Sequence, residues 1–466
     1  MGVPEWVKDA VFYQIFPDRF ANGDPKNDPE NVKAWGSKPT IKGFQGGDLR
    51  GIIQKMDYFN DLSINAIYLN PIFLSPSTHR YDTVDYYKID PKLGTNDEFE
   101  EFLTIAHSNN IKVVLDGVFN HCSRGFFAFN DILENDADSP YLNWFHIKNL
   151  PVDAYSAGQA KDYQAWWGFK SLPKFNTDHQ PVREYILQVA RYWIEKGIDG
   201  WRLDVPNEIN DDAFWETFRN RVKEINPEAY LVGEIWESDD RWVDDRHFDG
   251  LMNYPLRDAG IGFINGKSSA THFLEVMKNL MTIYRPENTT AMLNLLGSHD
   301  TERILTLLGK DKQKLKMAFL WLFTLSGAPT IFYGDEIGLL GGKDPDCRRA
   351  YPWGAKEIDS DLFLWVKRLI KYRNQFPSLR KGDFIPLFAN DNSACVGYLR
   401  SMGGEKILVC LNGSSKKQVL KIKVNKGIFD PNQKLNNLMG EESFVVSEDG
   451  TNIQIVLNPV CGVILR

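Results

Sequence analysis

Eight short apolar runs, each followed by a stretch of helical period, recur along most of this chain, and few folds accommodate that rhythm. AVFYQIFP (10–17), AIYLNP (66–71), KVVLDGVFNH (112–121), GWRLDV (200–205), YLVGEIW (230–236), GLMNYP (250–255), MLNLLGSHD (292–300) and APTIFYGDE (328–336) read as strands. Their near-continuous apolar character is that of strands covered on both faces. Amphipathic segments lie between them. Residues 49–62 place Ile52, Ile53, Met56, Phe59 and Leu62 on one face, and residues 97–110 follow Thr95-x-x-Glu98 in capping-box spacing. A third helix opens at Pro181 and runs to Gly197, with proline and glycine at the ends that prefer them. Eight such units argue for a closed parallel barrel. An open doubly wound sheet is the alternative, but no Gly-x-Gly-x-x-Gly turn follows the first strand.

Two segments break the rhythm. Residues 122–180 separate the third strand from its helix, too long a gap for an ordinary βα loop, and 122–175 is rich in Trp, Tyr and Phe. After about residue 383 the pattern becomes short alternating runs such as ACVGYLR, KILVCLN and IQIVLNP, with Gly, Asn and Ser turns between them. The expected fold is therefore α/β: a (β/α)8 TIM barrel from residues 1–121 and 176–382, a small inserted domain at 122–175 after strand three, and a C-terminal antiparallel β-sandwich at 383–466.

Composition excludes several partners. With 54 Lys+Arg against 62 Asp+Glu the net charge is −8, and no basic run is present to follow a phosphate backbone, so nucleic acid is not expected. No apolar run approaches the ~20 residues that span a bilayer, and the start lacks the pattern of a secretory signal. Five scattered cysteines, Cys122, Cys347, Cys395, Cys410 and Cys461, form no C-x-x-C pair and suit reduced thiols in the cytoplasm.

The fourth strand carries an unusual load. In GWRLDVPNE (200–208), Arg202 and Asp204 share one face while Trp201, Leu203 and Val205 share the other. In a barrel the apolar set meets the helices and the charged pair points inward near the C-terminal mouth, where such folds keep their chemistry. Other strands end alike: Asp116 and His121 close strand three, Glu234 strand five, and His299 with Asp300 strand seven. An isolated carboxylate is more often an ion pair or a helix cap. Asp204, Glu234 and Asp300 converging on one cavity with a single arginine are costly unless the charge is used.

DGVFNH (116–121), GWRLDVPNE (200–208), GEIW (233–236) and LLGSHDTER (295–303), in this order, resemble the signature regions of the α-amylase superfamily, glycoside hydrolase family 13. LPKFN (172–176), SPSTHRYDTVDYY (75–87) and DPDCRR (344–349) resemble the neopullulanase, cyclomaltodextrinase and maltogenic amylase group. The resemblance implies a retaining glycoside hydrolase acting on α-1,4-glucosidic bonds, with α-1,6 bonds and transglycosylation also open, in cyclodextrins, maltooligosaccharides, pullulan or starch. It makes Asp204 the nucleophile, Glu234 the acid/base and Asp300 a third carboxylate that grips sugar hydroxyls. Arg202 would favour the ionised form of Asp204. Carried over in the same way, His121 and His299 bind the reacting sugar, Tyr81 is its stacking platform, and Asp344 and Arg348 contact the next sugar outward. The alternatives are an α-amylase on starch, an exo-acting α-glucosidase, or a non-catalytic glucan-binding or transporter-associated relative.

A second constellation lies early. Asn22, Asp24, Asn27 and Asp28 place amide and carboxylate oxygens over seven residues, and Asp48 with the Gly46 carbonyl could complete a shell for Ca²⁺. A turn-rich loop has the same composition. The spacing resembles a structural calcium loop of cyclodextrin-acting relatives. A different calcium site of many α-amylases uses an Asp where this chain has Lys174, whose ammonium cannot ligate a cation. Two departures from the group are visible. Pro206 stands where it usually has alanine, and the sequence begins at the first barrel strand, where classical members carry an additional β-domain that embraces a partner subunit. A monomer or a dimer not using such a domain is expected.

Overall fold

The computed structural model describes residues 2–354 and 358–466. Eight strands form the parallel sheet: β1 (Phe12–Ile15), β2 (Ala66–Leu69), β3 (Lys112–Gly117), β4 (Gly200–Leu203), β5 (Tyr230–Gly233), β6 (Gly250–Leu251), β7 (Leu293–Leu295) and β8 (Ala328–Phe332). They pair in the order β6-β5-β4-β3-β2-β1-β8-β7. A parallel bridge between Met252 and Leu293 brings β6 onto β7 and closes the barrel.

Side-chain alternation sorts the strands into two cores. Phe12, Ala66, Tyr68, Val114, Tyr230, Val232, Met252, Leu293 and Leu295 pack together inside the barrel. Their neighbours Tyr13, Ile67, Leu69, Val113, Leu115, Trp201, Leu203 and Leu231 point outward into the core shared with the helices. Trp201 is fully buried there, its indole donating to the Ala190 carbonyl at 3.3 Å. The inward parity continues past the apolar floor into Gln14, Asn70, Asp116, Arg202, Asp204 and Glu234, so the mouth of the barrel is polar by register alone.

The helices follow their sequence signals with two differences. Asn96–Ser108 carries both halves of the Thr95/Glu98 capping box, and Gln180–Glu195 has Pro181 in its first turn. Residues 49–62 are two helices, Leu49–Ile53 and Met56–Leu62, broken at Gln54–Lys55. Both halves bury the same apolar face, so the periodicity carries through the break. The sixth strand is shorter than its apolar run: the Asn253 side chain accepts from the Leu256 N–H at 3.4 Å and caps a helix, Tyr254–Ile264, with Pro255 in its first turn. Tyr254 and Pro255 therefore belong to the helix.

Between β3 and the helix at 180 the chain leaves and returns side by side, His121 bridging Lys174 in antiparallel sense. This excursion holds a helix, Phe127–Asn135, and packs on its own aromatic rings, with Phe129 against Phe145 and Tyr163 (both 4.9 Å) and Phe145 against Phe175 (5.5 Å). The C-terminal strands are β9 (Asp383–Asn390), β10 (Cys395–Met402), β11 (Glu405–Asn412), β12 (Gln418–Lys423), β13 (Lys434–Asn436), β14 (Ser443–Val445), β15 (Asn452–Leu457) and β16 (Cys461–Leu465). They form a four-stranded sheet, β9-β10-β11-β16, and the pairs β12-β15 and β13-β14. Val396, Tyr398, Ile407 and Val409 face the barrel core, while Leu399, Leu408 and Cys410 meet Ile453 and Ile455 on the other side. Both faces of the sheet are thus covered.

Gly250 sits at the closure of the barrel, where a Cβ would lie 2.3 Å from the Ala291 carbonyl oxygen. Backbone cannot yield cheaply, so Gly250→Ala is expected to destabilise the protein by ~1–3 kcal/mol, read as a lower urea midpoint with an unchanged slope. An unchanged midpoint would show that β6 and β7 are not held this closely.

Candidate active site

Arg202 is the centre of the barrel mouth. The β3/β4 register sets it opposite Asp116, and the β4/β5 register sets Glu234 beside Asp204. Its Nη1 donates to Asp116 Oδ1 at 2.8 Å and to Asp204 Oδ1 at 2.9 Å, and its Nη2 lies 3.0 Å from Glu234 Oε2. One guanidinium therefore hydrogen-bonds two buried carboxylates and pairs by charge with a third. Asp116 is further satisfied by the Tyr68 and Tyr81 hydroxyls at 2.6 and 2.8 Å. Glu234 also takes the Val205 N–H at 3.3 Å on Oε2 and the Trp236 indole N–H at 3.2 Å on Oε1.

Asp300 enters from the far side. Its Oδ2 lies 3.0 Å from His299 Nε2 and its Oδ1 accepts from Arg348 Nη2 at 3.3 Å, while Arg348 Nη1 is 3.1 Å from Asp344. The amides of Gln14 and Asn70 both face His299 Nδ1, at 3.0 and 3.1 Å. Two amide donors on Nδ1 make it the acceptor, so the proton is assigned to Nε2, which points to Asp300 and to the Tyr81 oxygen at 2.5 Å. The Tyr81 and His299 rings stack at 5.3 Å with 6° between planes. His121 is buried under Trp166, the two rings 5.4 Å apart, with no hydrogen-bond partner on Nε2 among the described residues. Eight of the nine residues expected at the site thus lie in one connected network, and His121 is held separately, under Trp166. Asp116, read from the sequence as closing strand three, joins them, as do Gln14, Asn70, Tyr68 and Trp236, which were not singled out; the signal available for these four was inward parity, which Trp236 shares with Glu234 in the run 230–236.

Burial dominates the proton affinities. Loss of hydration pushes the Asp204 carboxyl well above the usual range, Arg202 pulls it back, and Glu234 and Asp116 raise it again. Arg202 thus acts in the expected sense, favouring the ionised Asp204, while burial, the larger influence, opposes it. Asp300 is raised to about 7 by burial and by Glu234, with Arg348 and Arg202 opposing. Burial lowers His121 to about 3 and His299 well below the ordinary value, so both rings are neutral.

Beyond Val205 the chain makes a 3-10 turn, Pro206–Glu208, with proline at its first position, where its missing N–H costs nothing. Lys174 clips this turn to the excursion after β3, donating to the Glu208 carbonyl at 2.8 Å and lying 3.2 Å from its carboxylate.

The loop holding Asn22, Asp24, Asn27, Asp28, Gly46 and Asp48 is folded on itself. Asn22 Nδ2 donates to both Asp28 oxygens at 2.9 and 3.0 Å, and Asn27 Nδ2 to Asp48 Oδ2 at 3.2 Å. Asp48 also accepts from the Gly23, Asp24 and Gly51 N–H groups, so it caps the helix at Leu49. The side-chain oxygens of Asn22 and Asn27 are buried with no hydrogen-bond partner among the described residues. Two orphaned amide oxygens beside two carboxylates fit a hard cation such as Ca²⁺. Gly46 has φ +84°, and a Cβ there would meet Asp28 Oδ1 at 2.2 Å, so only glycine closes this cradle.

The model of the α-amylase catalytic domain matches residues 14–361, the span that holds all of these carboxylates. The chain belongs to the α-amylase family. Within it, the relatives place the chain in the neopullulanase, cyclomaltodextrinase and maltogenic amylase group. It is 46% identical to a cyclomaltodextrinase of Thermoanaerobacter pseudethanolicus, over 90% of this chain and 72% of that protein. It is 41% identical to neopullulanase 2 of Thermoactinomyces vulgaris, over 99% and 78%. Among solved structures it is similar to the Nostoc punctiforme debranching enzyme, with TM-score 0.91 and 42% identity over 100% of this chain and 99% of that one. It is also similar to the cyclic α-maltosyl-(1→6)-maltose hydrolase of Arthrobacter globiformis, with TM-score 0.90 and 38% identity over 100% of both. No helix among the described residues is long and apolar enough to cross a membrane.

A carboxyl raised to about 7 in this family fold has a consequence for stability. The folded state binds a proton that the unfolded Asp300 releases near pH ~4, so this contribution is complete below pH ~4 and is lost as pH rises through about 7. Since the Asp300 side chain is 32% exposed, solvent screening reduces the effect to ~1–2 kcal/mol. Asp300→Asn is expected to melt at a less pH-dependent temperature between pH ~4 and ~8 and to exceed the parent at the alkaline end. Parallel melting curves for the two proteins would refute the shift.

Proposed function

We propose that this protein hydrolyses α-glucosidic bonds with retention of configuration, in cyclodextrins, maltooligosaccharides and pullulan. The observation that carries the reading is the Arg202 fork, which holds Asp204 on one nitrogen and Glu234 on the other in a chain of this family. Two carboxyls bridged by one guanidinium suit the ~5–5.5 Å spacing of retaining enzymes better than the ~6.5–9.5 Å that admits a water. Asp204 attacks the anomeric carbon while Glu234 gives its proton to the departing oxygen. Water then enters, Glu234 takes its proton, and the bond to Asp204 breaks.

The surrounding groups act on charge and position. The neutral His121 has an unpartnered Nε2, available to a sugar hydroxyl, and the neutral His299 offers its Nε2–H beside Asp300. Tyr81, stacked on His299 and bonded to Asp116, presents a fixed ring face to the reacting sugar. Asp300 and the Arg348–Asp344 pair extend the polar wall to the next sugar. As positive charge develops on the sugar ring, the surplus of carboxylates around one arginine becomes favourable in the transition state. The calcium we assign to the 22–48 loop would be held by Asn22, Asp24, Asn27, Asp28, Gly46 and Asp48, and would fasten that loop to the barrel. Cleavage of α-1,6 bonds is the second reading, favoured by the two debranching and (1→6)-maltose relatives and by Pro206, which reshapes the turn behind the nucleophile.

Asp204→Asn is expected to lower hydrolysis of β-cyclodextrin by several orders of magnitude, on the scale of ~10⁴-fold for removal of a nucleophile, with the melting temperature retained. Parental activity would overturn the assignment. Comparing products from β-cyclodextrin, pullulan and soluble starch ranks the substrates, and activity on starch alone would sink the reading. For the loop, adding Ca²⁺ to chelator-treated protein should raise the melting temperature in the parent and not in Asp28→Ala. An equal response in both places the ion elsewhere.

A further inference from the structure

Trp236 is 47% exposed, yet one face of its ring is packed and its N–H is bonded. It stacks face to face on Tyr254 at 3.8 Å with 6° between planes, and the Tyr254 hydroxyl is in turn 3.2 Å from Ser298 Oγ, next to His299 and Asp300. An exposed tryptophan fixed in this way presents its N–H in one direction, and that direction is Glu234 Oε1, at 3.2 Å. The other oxygen of Glu234 faces inward, to Arg202 Nη2 and the Val205 N–H. Oε1 is therefore the oxygen that serves the cleft, and Trp236 is the donor that faces it there.

We infer that Trp236 is a positioning residue for Glu234, whose indole N–H stabilises the ionised, accepting form of the carboxylate that the second half of the reaction requires. The inference rests on Glu234 being the acid/base. In the first half, Oε1 must carry a proton and aim it at the glucosidic oxygen, so the indole N–H loses its acceptor and works against the step. In the second half, the water oxygen bonds to the anomeric carbon, its proton passes to Oε1, and the bond to Asp204 breaks, releasing that group as carboxylate. An ionised Oε1 is needed for this, and a donor fixed against it favours that form. Trp236 thus divides its effect unequally between the two halves. Other charged or titratable groups face Glu234 from neighbouring strands and loops: Arg202 and Asp204 on and after β4, Tyr68 on β2, Asp300 after β7, and Tyr254 after β6. None of them supplies a donor to Oε1.

Trp236→Phe keeps a smaller flat ring for Tyr254 and removes the N–H, so the pH-dependent part of its effect is the decisive readout. On a maltooligosaccharide, the alkaline limb of kcat/KM should move to higher pH by ~0.5–1 unit, since the proton is held longer without the competing donor. On α-maltosyl fluoride, whose leaving group needs no proton, turnover reports the second half, and kcat should fall on the order of tenfold near neutral pH. Each pH profile is normalised within its own variant, so partial misfolding does not alter the limb. An unmoved limb together with parental turnover of the fluoride overturns the proposal, as does a pH-independent loss on both substrates, which is what a structural role alone would give. Glu234→Gln with added azide separates this from the parent reading: formation of maltosyl azide from the fluoride supports Glu234 as the acid/base whatever Trp236 does, and its absence refutes both.

Discussion

The Arg202 guanidinium is the interaction on which the rest of the site depends. It is fully buried on the inward face of β4 and lies within hydrogen-bonding distance of Asp116, Asp204 and Glu234, carboxylates from three adjoining strands. One cation among three potential anions leaves a surplus of negative charge in a place with little water, and such a surplus is costly. Removing Arg202 itself would cost more still, because the buried carboxylates would lose their shared cation. The protein limits the cost in two ways. Tyr68 and Tyr81 donate to Asp116 Oδ2, so Arg202, bonded to Oδ1, is not the only group that satisfies this carboxylate. Burial also raises the proton affinity of Asp204 and Asp300, which lessens the cost of the surplus. A positively charged sugar ring would do the same work during reaction, which is why ground-state cost and transition-state stabilisation have one origin here.

Much of the fold was legible in the sequence because its period is dictated by burial. A strand covered on both faces must be apolar at nearly every position, and all eight runs became barrel strands in the expected order. The failures are local. Gln54–Lys55 interrupts a helix whose apolar stripe continues across the break, and GLMNYP concealed a helix start behind an apolar run. Periodicity records which face is buried and says little about where hydrogen bonding changes register. Asn253 two residues before Pro255 was the available cue.

The candidate site was legible to the extent that it is charged. Asp204, Glu234 and Asp300 stood out because carboxylates at strand ends have no ordinary place in a barrel core. Gln14, Asn70 and Tyr68 did not, since uncharged polar residues in a strand are unremarkable until the register puts two amides on one imidazole nitrogen. That juxtaposition fixes the His299 tautomer, and with it the direction of the Tyr81 hydroxyl toward Asp116. Trp236 was hidden for another reason. Its partner Tyr254 lies in the piece of sequence misread as strand, so the stack that aims its indole could not be foreseen.

Val205 shows how the strand ends and the chemistry begins. It is β-branched, precedes a proline, and still adopts φ +36°, ψ 51°, a left-handed conformation that both features disfavour. Such strain, of order 1–3 kcal/mol, persists only where neighbours over-determine it. Here they do: the Asp204 N–H is bound to the Gly117 carbonyl, and the Trp215 indole donates to the carbonyls of Pro206 and Ile209. Lys174 holds the far end of the turn through Glu208. The contorted link turns the Val205 N–H onto Glu234 while Asp204 stays on Arg202, which a relaxed extended residue would not do. Proline at 206 fits this scheme, because its fixed φ holds the turn that receives the strained residue and the position asks for no donor. The turn after Asp204 is therefore clipped to the excursion after β3 through Lys174, and a change in Lys174 or Pro206 would reach Glu234 through Val205.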